Sequence, residues 1–190
     1  MTDLDLCRRA AEAYAPYPAG VTFTAGDLLA TLHGDGVLAI RGTANWRNWV
    51  RDFDDKMASA IEHPELGRCD EGALRGAEAL DAVITQGVTL TAVTGHSLGG
   101  QIALILAAMR NIPLVVSWDA PKAGEAGLAV ALAGATVRQY RFRDSSVTRW
   151  PLFHGCHMRT PLIDIGDKTW AVVEAHSIDR ALAWMERNQG

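Results

Sequence analysis

The chain has 190 residues, enough for one domain with a sizeable buried core. Apolar residues make up 48% and charged residues 21%, an ordinary globular balance that argues against disorder. A net charge of −4, with no basic run or stripe, argues against nucleic acid as a partner.

The opening segment, MTDLDLCRRAAEAYAPYPAG, carries acids and arginines where a secretory leader would need an apolar centre. The longest apolar run, near residues 102–109, is too short to span a bilayer. Cys7, Cys69 and Cys156 are widely spaced and odd in number, which fits a reducing compartment better than a disulfide framework. Together these features predict a cytoplasmic protein with no transmembrane segment.

Residues 2–15 read as a helix stopped by the prolines and glycine of AYAPYPAG. GDG at residues 34–36, between LLATLH and VLAIRG, predicts a hairpin. Residues 45–55 read as a short amphipathic helix with Trp46, Trp49, Val50 and Phe53 on one side. A longer helix follows over 70–86, where Leu74, Ala77, Leu80 and Ile84 recur at helical spacing.

Then come a strand (TLTAVTG), a helix over 97–110, a strand (PLVVSWD), a helix over 124–134 and a strand (TVRQYRF). LIDIG and TWAVVE read as a strand pair. A last helix starts near Ser177, with Ile178, Leu182 and Met185 on one face. Nearly continuous apolar strands alternating with helices predict an α/β fold over 1–190, its mostly parallel sheet covered on both faces.

The chemistry gathers at TGHSLGG. Gly95-His96-Ser97-Leu98-Gly99 fits G-x-S-x-G, with an apolar strand before it and a long helix after it, as the α/β-hydrolase nucleophile turn requires. Such a turn is tight and strained, so its neighbours need to lack side chains. A serine needs a base, itself oriented by a third group. His176, after the last strand and just before the final helix, is the best-placed base. His154 and His157, in PLFHGCHMRTP, are less well placed, and with Cys156 they make only a weak zinc pattern. His96 adjoins Ser97 but points away from it on such a turn.

For the acid, the strand two after the serine selects Asp144, with Asp119, one strand earlier, as the alternative. Asp164 and Asp167 remain further candidates. The backbone N–H of Leu98 and of Thr43, which follows Gly42 in VLAIRGT, are the oxyanion donors expected. Trp118, Trp150 and Phe153 suit an acyl pocket and core packing equally. No metal or cofactor is expected.

LAIRGTANWRNWVRDF, TGHSLGG, DAPKAG, YRFRDSSVTRWP and the late AHS, taken in order, resemble the class 3 (fungal-type) lipases. The resemblance implies a compact α/β-hydrolase fold with Ser97 as nucleophile, His176 as base, and Thr43 and Leu98 as oxyanion donors. It also implies a mobile lid near residues 45–53, carrying Trp46 and Trp49. The chain departs from the family pattern at Ser145, which stands where the family's aspartate falls, and at WDAP, which supplies the competing Asp119. The chain is also short for the family.

The activity expected is a serine carboxylic-ester hydrolase, a lipase or esterase working through an acyl-enzyme on a small-molecule or lipid ester. The alternatives are an acyltransferase or thioesterase with the same triad, and an inactive hydrolase-fold binding domain.

Overall fold

The computed structural model describes residues 1–42, 59–85, 87–145, 147–149, 162–166 and 176–189. Its strands are β1 (Val21–Ala25), β2 (Leu28–Leu32), β3 (Val37–Ile40), β4 (Ala60–His63), β5 (Gly67–Asp70), β6 (Ala92–His96), β7 (Leu114–Trp118), β8 (Thr136–Phe142) and β9 (Leu162–Ile165). The helices are α1 (Asp3–Glu12), α2 (Glu71–Val83), α3 (Leu98–Arg110), α4 (Ala126–Ala131) and α5 (Ile178–Gln189), with a single 3-10 turn at Val147–Arg149.

Seven strands form one sheet in the order β1-β2-β3-β6-β7-β8-β9. The expected hairpin joins β2 to β3, and β1 extends it antiparallel. From β3 through β6, β7 and β8 to β9 every pairing is parallel. Burial on both faces explains the continuous apolar strands. Neighbouring residues feed opposite cores: Leu38, Val93 and Val115 join one cluster, while Val37, Ala92 and Val116 join the other. Helices α2 and α3 cover the first face, and α1 and α5 pack together over the second.

Local sequence sets the helix ends. Thr2 caps α1: its hydroxyl accepts from the Asp5 N–H while the Asp5 carboxylate accepts from the Thr2 N–H, a reciprocal box. Asp70 caps α2 by accepting from the Ala73 N–H at 2.9 Å. Helix α3 is apolar almost all round, with a continuous buried stretch from Gly99 to Ala108, because sheet and neighbouring helices enclose it.

Several expectations change. Strand β1 and the β4–β5 hairpin were not expected, and the helix expected over 124–134 shortens to α4. LIDIG forms β9, which pairs parallel with β8. TWAVVE and the 45–55 helix lie outside the described residues, as do Trp46 and Trp49. Trp118 belongs to the core: it is fully buried, stacks on Tyr140 at 4.5 Å and donates from Nε1 to the Thr94 hydroxyl. Trp150 and Phe153 lie outside the described residues. No described helix is long and apolar enough to cross a membrane.

Candidate active site

Strand β6 ends at His96, and α3 begins at Leu98, so Ser97 alone makes the turn. Its backbone sits at φ 57°, ψ −129°, a region L-residues avoid. The turn survives because both sides hold it. The Ser97 N–H donates to the Trp118 carbonyl at 3.0 Å, extending the β6–β7 ladder, and the Ser97 carbonyl accepts from Gly100 and Gln101 of α3.

The flanking glycines are needed for space. A Cβ on Gly95 would stand 2.3 Å from the Gly99 carbonyl oxygen, and one on Gly99 would stand 2.3 Å from the Ile40 carbonyl oxygen. Strand, turn and helix therefore meet closer than any side chain permits.

The serine hydroxyl lies 2.8 Å from Nε2 of His176, which sits just before α5. On the other side of that ring, Nδ1–H donates to Oδ2 of Asp119 at 2.6 Å. This arrangement fixes the tautomer: with Nδ1 protonated toward the carboxylate, Nε2 accepts from the serine O–H. Ser97, Asp119 and His176 are each no more than 2% exposed. The second carboxylate oxygen of Asp119, Oδ1, accepts from the Phe142 N–H at 3.2 Å.

Asp119 replaces Asp144 as the histidine's carboxylate partner. The reason lies in sheet register. His96 pairs with Trp118, so the residues that follow them, Ser97 and Asp119, leave adjacent strands side by side. Asp119 also turns through a positive φ, 45°. Asp144 instead lies two residues beyond the end of β8, and its carboxylate accepts from Arg180 Nη1 at 3.1 Å and Nη2 at 3.4 Å. Asp164 pairs with Arg141 and Arg143, and Asp167 lies outside the described residues. Ser145, at the family's acid position, is buried, and its hydroxyl has no hydrogen-bond partner among the described residues.

Leu98 is the first residue of α3, where backbone N–H groups have no intrahelical acceptor. Thr43 lies outside the described residues, but the loop leading to it is fixed. Gly42 N–H donates to the Tyr14 hydroxyl at 3.1 Å, and Tyr14 Oη is 2.9 Å from Nδ1 of His96. Nothing in the sequence near Tyr14 marked it. His96 is buried, and burial, reinforced by the His176 ring beside it, drives its pKa well below the ordinary value. The two imidazoles lie 4.6 Å apart between centroids. No group of His, Cys, Asp and Glu among the described residues could hold a metal ion; the His154, Cys156 and His157 pattern lies outside them.

The sequence matches the family "Lipase (class 3)" over residues 37–147. The chain belongs to the class 3 lipases. Among curated proteins, this class 3 lipase is 31% identical to "Secreted mono- and diacylglycerol lipase 1" of Fusarium solani over 129 residues. That match takes in 60% of this chain but only 39% of the relative's length.

The fold is that of solved fungal lipases with the α/β-hydrolase architecture. The Lip2 lipase of Yarrowia lipolytica matches with a TM-score of 0.61 at 19% identity, covering 85% of this chain and 77% of that one. A two-residue deletion mutant of the Rhizomucor miehei lipase in its propeptide complex matches with a TM-score of 0.63 at 18% identity, covering 87% of this chain and 66% of that one. The cytoplasmic location expected above does not stand, because the Fusarium relative is a secreted lipase by name. The charged N-terminal residues behind that expectation fold as α1, part of the domain's own core.

Proposed function

We propose that this class 3 lipase hydrolyses carboxylic esters of lipids by acyl transfer through Ser97. The reading rests chiefly on the continuous line Asp119 Oδ2, His176 Nδ1 and Nε2, Ser97 Oγ, at 2.6 and 2.8 Å in a buried setting. Membership of a lipase family and the acylglycerol activity named for the Fusarium relative support a glyceride-type ester as substrate.

In this mechanism His176 Nε2 takes the serine proton as Oγ bonds to the ester carbonyl carbon. The carbonyl π electrons move onto oxygen, and the oxyanion is held by the Leu98 N–H and by an N–H at Thr43. Collapse of the tetrahedral adduct expels the alkoxide, which leaves as the alcohol by taking the proton from His176. Water, deprotonated by the same nitrogen, then cleaves the acyl-serine and returns the free acid and Ser97. Asp119 orients the ring and faces the imidazolium as it forms. The Phe142 N–H at Oδ1 keeps the carboxylate from rotating away.

The inactive-domain alternative drew its force from Ser145 at the expected acid position. The contact between Asp119 and His176 supports a complete triad and weighs against that alternative. The test is hydrolysis of p-nitrophenyl butyrate and of a short-chain diacylglycerol, alongside labelling by a fluorophosphonate probe. Turnover with label on Ser97, both abolished in Ser97→Ala, supports the reading; an unlabelled Ser97, or turnover surviving that substitution, rejects it.

A further inference from the structure

His96 ends β6 and lies outside the proton path, yet its side chain meets the base itself. Its imidazole and that of His176 are both buried and form a tilted stack, 4.6 Å between centroids and 35° between planes. The contact matters because of how His176 is otherwise held. Two hydrogen bonds grip it by opposite edges, Nδ1 to Asp119 at 2.6 Å and Nε2 to Ser97 at 2.8 Å. They define a line through the ring and leave rotation about that line open. Neither nitrogen points along the line, so a ring that turns about it swings its N–H and its lone pair off their partners. Packing on the faces of the ring has to stop the turn, and His96 covers one face.

Tyr14, just past the end of α1 and 82 residues away along the chain, fixes His96 in turn. Its ring meets that of His96 edge-on, 5.9 Å between centroids and 63° between planes. Its hydroxyl also sets the tautomer. The Gly42 N–H donates to Tyr14 Oη at 3.1 Å, so Oη keeps its own hydrogen for Nδ1 of His96, 2.9 Å away. Burial keeps His96 neutral, and a neutral imidazole has one N–H, which therefore sits on Nε2. Nε2 is enclosed without a hydrogen bond of good geometry among the described residues, and the polar group that acts on it is the main chain of His176, which favours the proton there. The stacked histidines thus carry opposite tautomers: Nε2–H on His96, Nδ1–H on His176.

We propose that His96 is a positioning residue for the base: held as the Nε2–H tautomer by Tyr14, its ring closes one face of His176 and stops the base turning about the line from Asp119 to Ser97. The proposal rests on the ester-hydrolase reading. A misplacement of about 1 Å among reacting groups costs up to about a hundredfold in rate. The loss falls on proton transfer and leaves ground-state binding alone.

The experiment compares His96→Leu and Tyr14→Phe with wild type on p-nitrophenyl butyrate, well below each protein's Tm. It adds NMR of protein labelled with 15N in its histidines. In the wild type, His96 is expected to show a bare Nδ1 and a protonated Nε2, and His176 the reverse. Leu removes the flat face, so His96→Leu should lose about tenfold to a hundredfold in kcat with KM within about twofold. The Nδ1 proton of His176 should broaden in that variant, as its bond to Asp119 loosens. Tyr14→Phe keeps the His96 ring but frees it to shift, and should lose about threefold to tenfold in kcat.

A wild-type His96 protonated on Nδ1, or a His96→Leu variant with wild-type kcat and an unchanged His176 Nδ1 proton, overturns the positioning role. A loss confined to KM or to Tm does the same. Should His96→Leu not fold, wild-type kcat in Tyr14→Phe overturns the proposal by itself. In each case wild-type turnover still upholds the ester-hydrolase reading. A wild type that neither turns over nor labels at Ser97 overturns that reading, and the role of His96 in catalysis falls with it.

Discussion

Arg180 grips Asp144 through Nη1 at 3.1 Å and Nη2 at 3.4 Å while its guanidinium lies 4.2 Å above the ring of Phe142. Phe142 is the residue whose N–H donates to Asp119, and Arg180 lies in the first turn of α5, four residues after His176. The residue that chain order selected as the acid is thus a tie between the helix that follows the histidine and the end of β8. Asp119→Asn is expected to lower kcat on p-nitrophenyl butyrate by about four orders of magnitude, because the amide no longer holds the productive tautomer. Asp144→Asn is expected to cost less than about tenfold in kcat and to lower stability by about 1–3 kcal/mol, as a mostly buried ion pair is broken. Comparing kcat with urea midpoints for the two variants checks both. A larger kcat loss in Asp144→Asn than in Asp119→Asn would reverse the assignment.

Among the described residues, two of the three non-glycine residues at positive φ are Ser97 and Asp119; the third, Asn111, is the ordinary left-handed cap of α3. Strain is therefore concentrated where the proposed chemistry occurs. Ser97→Ala and Ser97→Gly both remove the hydroxyl, but only glycine accepts φ 57° without a Cβ penalty. Ser97→Gly is expected to be more stable than Ser97→Ala by about 1 kcal/mol, after allowing for glycine's looser unfolded chain. Thermal unfolding of the two inactive variants measures the difference, and equal Tm values would mean that the turn stores no strain at this residue.

The parts of the fold that were legible in the sequence share one cause. Strands β3, β6 and β7 are buried on both faces or nearly so, and double burial writes a nearly continuous apolar run. Strand β1 is different: Val21, Thr22 and Thr24 are exposed and only Phe23 and Ala25 turn toward the core, so its alternation spans just five residues. Among the described residues, β4 and β5 pair with each other and through a bridge to Gly124, and AIEH and GRCD carry neither alternation nor a run of branched apolar residues. At the site, G-x-S-x-G and the late histidine are local features, whereas the acid is a matter of register. Only the pairing of His96 with Trp118 brings Asp119 level with Ser97, and that pairing joins strands separated by all of α3. Tyr14 was hidden for the same reason, its partners being far away in the chain.

The close meeting of β6 and α3 gives a sharp contrast between two glycines. A Cβ on Gly95 would stand 2.3 Å from the Gly99 carbonyl oxygen and 2.4 Å from its carbon, both rigid backbone in the first turn of α3. Neither segment can withdraw, since the Gly95–Ser117 pairing fixes one and the packed helix fixes the other. Gly95→Ala is expected to cost about 3 kcal/mol or more, at the upper end of overpacking losses. Gly34, in the β2–β3 turn, has no atom within 4 Å of its Cβ position, and Gly34→Ala should change stability by less than about 0.5 kcal/mol. Denaturant unfolding of both variants tests the claim that space, more than conformational freedom, fixes glycine at position 95.

Asp70 predicts a pH dependence of stability apart from that of activity. The residue is 6% exposed, and burial, opposed only in part by the Ala73 and Gly72 N–H groups, raises its carboxyl pKa from 3.8 to about 6. Because the folded-state value exceeds the unfolded one, the folded protein binds the extra proton between about pH 4 and 6. Stability from this group is fully present below about pH 4 and is lost as the pH rises through about 6. A rise of that size is worth about 3 kcal/mol as an upper figure, since a tenfold change in proton affinity corresponds to about 1.4 kcal/mol. Asp70→Asn keeps an oxygen acceptor for the Ala73 N–H and removes the charge. It should match wild type in urea unfolding near pH 4 and exceed it by about 2–3 kcal/mol at about pH 8. A variant less stable than wild type at the higher pH would mean that the charged cap at the start of α2 outweighs the cost of burying it.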